Sequence, residues 1–319
     1  MLPFKLQPAF KDYLWGGRKL IEYYGKQTDY AILAESWELS AHPAGISVIS
    51  GGQFNNMPFS EFISKHPHTL GMKQKSKKEF PILIKLIDAS EDLSVQVHPD
   101  DSYARRDNQP CGKTEMWVVL EADPGAILYH GLKQSLTRDE LLRHINENTL
   151  INELNSIHVS AGDVIFVPAG TIHAIGKGLV IAEIQQNSDA TYRVYDYNRT
   201  GSDGKQRELH IDKALDVINL QPTNTTAPGA GHLITNSEVQ AERLARCSCF
   251  TVDRIALSGT YRIELSGDTF FSALCVEGHA QLSCCSESLP MKKGDCVFIP
   301  ADAIECVISG NCTFLLVSV

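Results

Sequence analysis

Apolar residues in this chain come in short runs closed by Gly, Pro or Asp. Examples are residues 81–87, 116–120, 163–167, 179–184, 271–276, 296–299 and 313–317. Runs of this length between turn residues predict strands of a sandwich or barrel. Helical signals are fewer. Thr137-Arg138-Asp139-Glu140 is a capping box, and Leu141, Leu142 and Ile145 after it share one helical face. Further helices are expected from Ser60 to Lys65 and from Asp212 through Leu215 to Ile218. Residues 221–232, rich in Pro, Thr, Asn, Ala and Gly without periodicity, read as a linker.

One pattern occurs twice. Ala161-Gly-Asp-Val-Ile-Phe-Val-Pro-Ala-Gly-Thr-Ile-His173 aligns with Lys293-Gly-Asp-Cys-Val-Phe-Ile-Pro-Ala-Asp-Ala-Ile-Glu305. Each copy is a turn, a buried strand and a second turn at Pro. Two copies imply two related β-domains. The expected division is 1–220, with a helical insertion around 137–156, then the linker 221–232, then a domain of residues 233–319. The copies differ where chemistry would sit: the first ends in His173, the second in Glu305.

Composition narrows the function. With 43% hydrophobic and 21% charged residues, 319 residues can bury a sizeable core. A formal net charge of -9 makes nucleic acid and anionic membrane poor partners, since both select a basic face. No apolar stretch approaches a membrane span, and Met1–Phe10 carries no signal-like run. The nine cysteines include no C-x-x-C pair, so a four-cysteine zinc site is not expected. A cytoplasmic protein is the simplest expectation.

Gly162-x5-Pro168-x-Gly170-x2-His173 resembles the second sequence motif of the cupin superfamily, although Lys177 stands where that motif usually has Asn. The upstream H-x-H of that superfamily is Gln96-Val97-His98 here. Positions 96 and 98 alternate on a strand and face the same way. Glu115 opens the next strand. Gln96, His98, Glu115 and His173 could then converge inside one barrel, a donor set suited to a borderline divalent ion such as Zn²⁺.

Here a more specific resemblance emerges. Residues 94–100 (Ser-Val-Gln-Val-His-Pro-Asp), 112–117 (Gly-Lys-Thr-Glu-Met-Trp), 168–173 and 185–193 (Gln-Gln-Asn-Ser-Asp-Ala-Thr-Tyr-Arg) look like signature blocks of the type I mannose-6-phosphate isomerase family, in its compact bacterial form. Trp15-Gly16 and Glu35-Ser-Trp37-Glu-Leu-Ser40 match earlier blocks. The resemblance implies a mainly β fold of two related cupin-type (jelly-roll) barrels, the second one degenerate. It implies reversible conversion of mannose 6-phosphate to fructose 6-phosphate through a cis-enediol, with one zinc ion per chain held by Gln96, His98, Glu115 and His173. Arg193 and Lys113 are then the expected catalytic cations. Ser94, Lys85 and Asp189 are the expected substrate contacts, and the chain is expected as a monomer or homodimer.

Plainer readings stand beside these. A lone histidine on an apolar strand is usually a structural one, and an amide is a weaker metal ligand than an imidazole. The assignment of Gln96 therefore leans on the resemblance. Trp15, Trp37 and Trp117 read as core, and Asp100 and Asp101 as turn residues. A cupin metal oxygenase and a non-catalytic sugar-phosphate-binding cupin are the alternative functions. Residues 233–319 are expected to hold no metal, because Phe271, Ala273 and Cys275 line the strand face where ligands would sit.

Overall fold

A computed structural model describes residues 1–75, 79–201, 204–223, 227–285 and 287–319. Linker residues 224–226 thus lie outside the described residues. Every pairing within the three sheets is antiparallel. The first sheet runs in the order Val164–Val167, Glu115–Ala122, Leu179–Gln186, Ile82–Ala89, Glu35–Leu39, Ala9–Lys11. The second runs Tyr192–Tyr195, Val95–Val97, His173–Ile175, Ile127–Leu132, Leu154–His158. The third carries the C-terminal strands, including the long Thr251–Ile263, Phe271–Cys284 and Cys306–Ser318.

The six-stranded sheet is the central layer. Trp117, Val119, Ile181 and Ile87 on one of its faces meet Leu128 and Ile175 of the five-stranded sheet. Met116, Val118, Ala182, Ile184 and Ile84 on the other meet Leu274, Phe298, Leu315 and Val317 of the third sheet. Covering both faces explains why Ile82–Ala89 and Leu179–Gln186 are buried along their whole length. The outer face of the five-stranded sheet is closed by helices Arg138–Asn146 and Ile211–Val217, through Leu141, Ile145, Ala214 and Leu215. The expected capping box is present: Thr137 Oγ1 accepts from the Glu140 amide and Glu140 from the Thr137 amide. The insertion is shorter than its helical signal, because residues from Leu154 onward pair as a strand with Ile127–Leu132. Among the described residues no helix is long and apolar enough to cross a membrane.

The two repeat copies share their first turn, with Gly162 at φ 98° and Gly294 at φ 91°, a conformation natural to glycine. Their last positions diverge. His173 points inward and is buried, whereas Glu305 is exposed and ion-paired with Arg262. The C-terminal interior is apolar at the matching level, with Ala273, Cys275, Val297, Ile299, Ile308 and Phe314.

The third sheet is not built from C-terminal residues alone. Phe4–Gln7 pairs with Cys296–Ile299, and Val48–Ser50 pairs with Phe4–Gln7. A buried ion pair adds to this junction: Lys26 Nζ lies 2.6 Å from Glu38 Oε1 and donates to the Gly294 carbonyl at 2.6 Å. Burial pushes the Glu38 carboxyl upward against the pull of Lys26. Lys26→Met should therefore cost about 3–5 kcal/mol by stranding a buried carboxylate, with the double variant Lys26→Met/Glu38→Leu recovering most of it. The urea midpoints of the two variants check this; equal midpoints would show that the pair is not coupled.

Candidate metal centre and active site

Two rows of cross-strand neighbours face each other between the first two sheets. On the five-stranded sheet, Arg193 pairs with Gln96, Gln96 with His173, and His173 with His130. On the six-stranded sheet, Glu115 pairs with Gln185, while Trp117, Glu183, Lys85 and Trp37 are successive partners one step along. Because side chains alternate faces, each row projects into the space between the sheets.

His98, Glu115 and His173 are buried there, with one ligand atom from each within 4.8 Å of the others. Each imidazole has a fixed tautomer. His98 Nδ1 lies 2.8 Å from the Ala190 carbonyl and His173 Nδ1 2.9 Å from the Thr171 carbonyl. A carbonyl only accepts, so Nδ1 carries the proton and Nε2 presents a lone pair inward. The Nε2 atoms are 3.4 Å and 3.2 Å from the Glu115 oxygens. Burial keeps both rings neutral, assisted at His98 by Lys113, and pushes His173 down to about 3. Burial also pushes the Glu115 carboxyl upward, but the adjacent Lys113 ammonium outweighs it and holds it well below the usual carboxylate range. The backbone braces the cluster: the Gly170 amide donates to the His98 carbonyl at 2.8 Å, and a Cβ at Gly170 would fall 2.9 Å from the Val217 carbonyl.

These residues fit a divalent cation. Both Glu115 oxygens are buried without a hydrogen bond of good geometry. Around the cluster Lys85 and Lys113 face Glu35, Glu115 and Glu183, two cations against three carboxylates, and burial followed by the Glu115 charge pushes the Glu183 carboxyl upward. Two neutral imidazoles with inward lone pairs add no positive charge, and a buried negative charge is strongly unfavourable without a partner. Gln96 stands at the edge of the set, with its amide nitrogen 3.4 Å from His173 Nε2. A half-turn of the amide exchanges nitrogen for oxygen at the same place.

The other expected site residues fall into two groups. Lys113 is in the cluster, with Nζ 3.0 Å from His98 Nε2 and 2.9 Å from Glu115 Oε2. Arg193 lies beside Gln96 and donates from Nε to Ser94 Oγ at 3.3 Å. Lys85 is buried against Glu183 at 3.3 Å and Glu35 at 3.7 Å, over the Trp37 ring. Burial lowers its pKa, but the two carboxylates outweigh it and raise it overall. Asp189 is half exposed, with His42 Nε2 3.5 Å away. Trp15, Trp37 and Trp117 are buried, as a core reading expects. Asp100 is the N-cap of helix Asp101–Arg106.

Sequence reading missed Glu35 and Glu183 as partners of Lys85, and missed the Trp37 and Trp117 indoles, which donate to those carboxylates at 2.6 Å and 3.1 Å. The available signal was a glutamate inside the otherwise apolar run 179–184. It also missed Asp196, a buried carboxylate clasped by Arg199 and Arg207 beside Arg193.

Two family models match this chain: the catalytic domain of type I phosphomannose isomerase over residues 3–120, and the mannose-6-phosphate isomerase cupin domain over residues 241–319. Mannose-6-phosphate isomerase of Streptococcus mutans is 35% identical over 299 residues, covering 93% of this chain and 92% of that one. ManA of Bacillus subtilis, also named a mannose-6-phosphate isomerase, is 34% identical over 312 residues, 97% of this chain and 96% of its own. The crystal structure of a Bacillus subtilis mannose 6-phosphate isomerase superposes with a TM-score of 0.94 at 32% identity, over 100% of both chains.

Proposed function

The chain belongs to the type I phosphomannose isomerase family, and from that premise we propose that it interconverts mannose 6-phosphate and fructose 6-phosphate, with His98, Glu115, His173 and Gln96 holding one divalent ion. The observation that carries the metal reading is Glu115, a buried carboxylate with both oxygens lacking good hydrogen bonds, set between two neutral imidazoles. The donor set of nitrogen and oxygen favours zinc. We take residues 1–220 as the catalytic unit and 233–319 as a metal-free companion that shares its sheet with Phe4–Gln7 and Val48–Ser50.

The reaction moves a proton between adjacent carbons of the open-chain sugar through a cis-enediol. The proton next to a carbonyl is weakly acidic, so negative charge developing on the sugar oxygens must be stabilised. A divalent ion at this centre would supply Lewis-acid stabilisation of that charge. The chain's own contribution is to hold the donors rigid through the Ala190 and Thr171 carbonyls and the Gly170 amide. Arg193 and Lys113 add fixed cations on two sides of the cluster. Glu35, Glu183 and Lys85 form a buried, hydrogen-bonded floor behind it. Ser94 orients Arg193, and Asp189 stands half exposed near Ala190 for contact with sugar hydroxyls.

A coupled assay for fructose 6-phosphate formed from mannose 6-phosphate, run before and after chelation, tests the activity. Elemental analysis of the same sample should give about one ion per chain. A second ion lost on mutation of Glu305 would refute the metal-free reading of residues 233–319.

A further inference from the structure

Eight of the nine cysteines lie between Cys247 and Cys312, and the isomerase reading uses none of them. Several are buried within the C-terminal core, as expected of small apolar side chains: Cys275, Cys284, Cys306 and Cys312. Cys247 and Cys249 differ. They flank Ser248 on the turn joining Val239–Arg246 to Thr251–Ile263, and both are half-buried, within reach of small reagents. The turn is closed by the Cys247 amide donating to the Phe250 carbonyl at 3.0 Å. It bends back on itself, so the Cys249 amide donates to Cys247 Sγ at 3.4 Å. Ser248 Oγ lies 3.7 Å from Cys249 Sγ.

We propose that Cys247-Ser248-Cys249 is a reversible thiol-oxidation site, with Cys247 as the attacking sulfur and Cys249 as the resolving one. The Cys249 amide donates to Cys247 Sγ, which favours a thiolate there, while the protonated Cys247 thiol donates to the Phe250 carbonyl at 3.6 Å. Hydrogen bonding from Cys249 brings the Cys247 thiol down to about 6 despite partial burial, and the same bond pushes Cys249 up. Cys285 is the most exposed cysteine, yet its thiol is shifted upward, and burial raises Cys111 to about 12. Exposure and reactivity therefore point to different residues.

The chemistry needs a co-reactant, and a low-molecular-weight disulfide such as oxidised glutathione suffices. The Cys247 thiolate attacks one sulfur of that disulfide and releases the other half as a thiolate. Cys249, losing its proton, then attacks Cys247 Sγ of the mixed disulfide, forms the Cys247–Cys249 bond and releases the second small thiol. Two electrons pass from the protein to the small disulfide, and the two thiol protons end on the released thiols. A ring closed across one intervening residue makes a labile disulfide that excess small thiol reopens.

The turn sits beside the catalytic unit. Phe250 packs against Phe166, whose carbonyl accepts from His130. The Asp101 carboxylate acts on Cys249 and also accepts from the Gly112 amide and the Gln186 side chain at the loop carrying Lys113.

The test is timed alkylation of the full chain by iodoacetamide at neutral pH, followed by peptide mass mapping. Cys247 should label about tenfold or more faster than Cys285 or Cys111. Treatment with oxidised glutathione should convert the 247–249 peptide to a form lacking two hydrogens, restored by dithiothreitol. Cys249→Ser should stop the reaction at a glutathione adduct on Cys247, and Cys247→Ser should leave Cys249 unmodified. Cys285 or Cys111 labelling ahead of Cys247 in the unmutated chain would overturn the proposal. So would a 247–249 peptide that oxidised glutathione leaves unchanged.

Discussion

His173→Ala should release the divalent ion and lower kcat by at least about 10³-fold, the scale expected when stabilisation of developing charge is lost at a buried site. His173 lies on the central strand of the five-stranded sheet, beside Gln96, and its Nε2 is one of the atoms nearest Glu115. Removing the ring takes away a donor and, with the ion released, leaves Lys113 as the nearest positive partner of the buried Glu115. Part of any loss could then come from folding, so His173→Gln serves as the second variant. It keeps an amide donor and most of the volume, should stay folded by circular dichroism, and should still bind metal at least about tenfold more weakly. Elemental analysis after gel filtration reads the outcome directly. Full occupancy in His173→Ala would remove this residue from the ligand set, whatever the activity.

Arg193→Ala should lower kcat/KM by about 10²–10³-fold with metal content unchanged. The guanidinium is held by Ser94 Oγ and by the Glu208 carbonyl at 2.8 Å, so its direction is set before substrate arrives. Burial, and then the nearby Arg207 and Arg199, push its pKa below the ordinary arginine value. Three guanidiniums with two carboxylates, Asp196 and the exposed Glu208, still leave a local surplus of positive charge, which is the condition for attracting an anionic sugar phosphate. Arg193→Lys keeps the charge but not the fork, and should recover only part of the loss. Steady-state kinetics with elemental analysis on the same preparations separates the roles: near-normal kcat/KM in Arg193→Ala would exclude Arg193 from turnover, and loss of metal would recast it as structural.

The convergence of His98, Glu115 and His173 was legible because its signals are local. A glycine turn, a buried strand and a proline turn deliver His173 inward wherever the sheet lies, since alternation along a strand depends on neighbouring residues alone. The same holds for the parity of positions 96 and 98 and for the capping box at Thr137 and Glu140. The repeat was equally plain, and with it the replacement of histidine by Glu305, although its outward direction was visible only in the fold.

What the chain's order could not reveal is which distant strands share a sheet. Phe4–Gln7 reads as a chain start, yet it pairs with Cys296–Ile299 because Phe4 and Leu6 complete a core with Phe298 and Phe62. Lys85 was expected as a substrate contact; its buried partners Glu183 and Glu35 and the Trp37 ring became visible only through register. The strand-rich class, the repeat and the inward parity of the metal-binding candidates are all consequences of short-range backbone geometry, and so can be read along the chain. Which charges neutralise one another emerges with the packed sheets, because Coulomb partners and desolvation depend on distances between strands far apart in the chain, and register sets those distances.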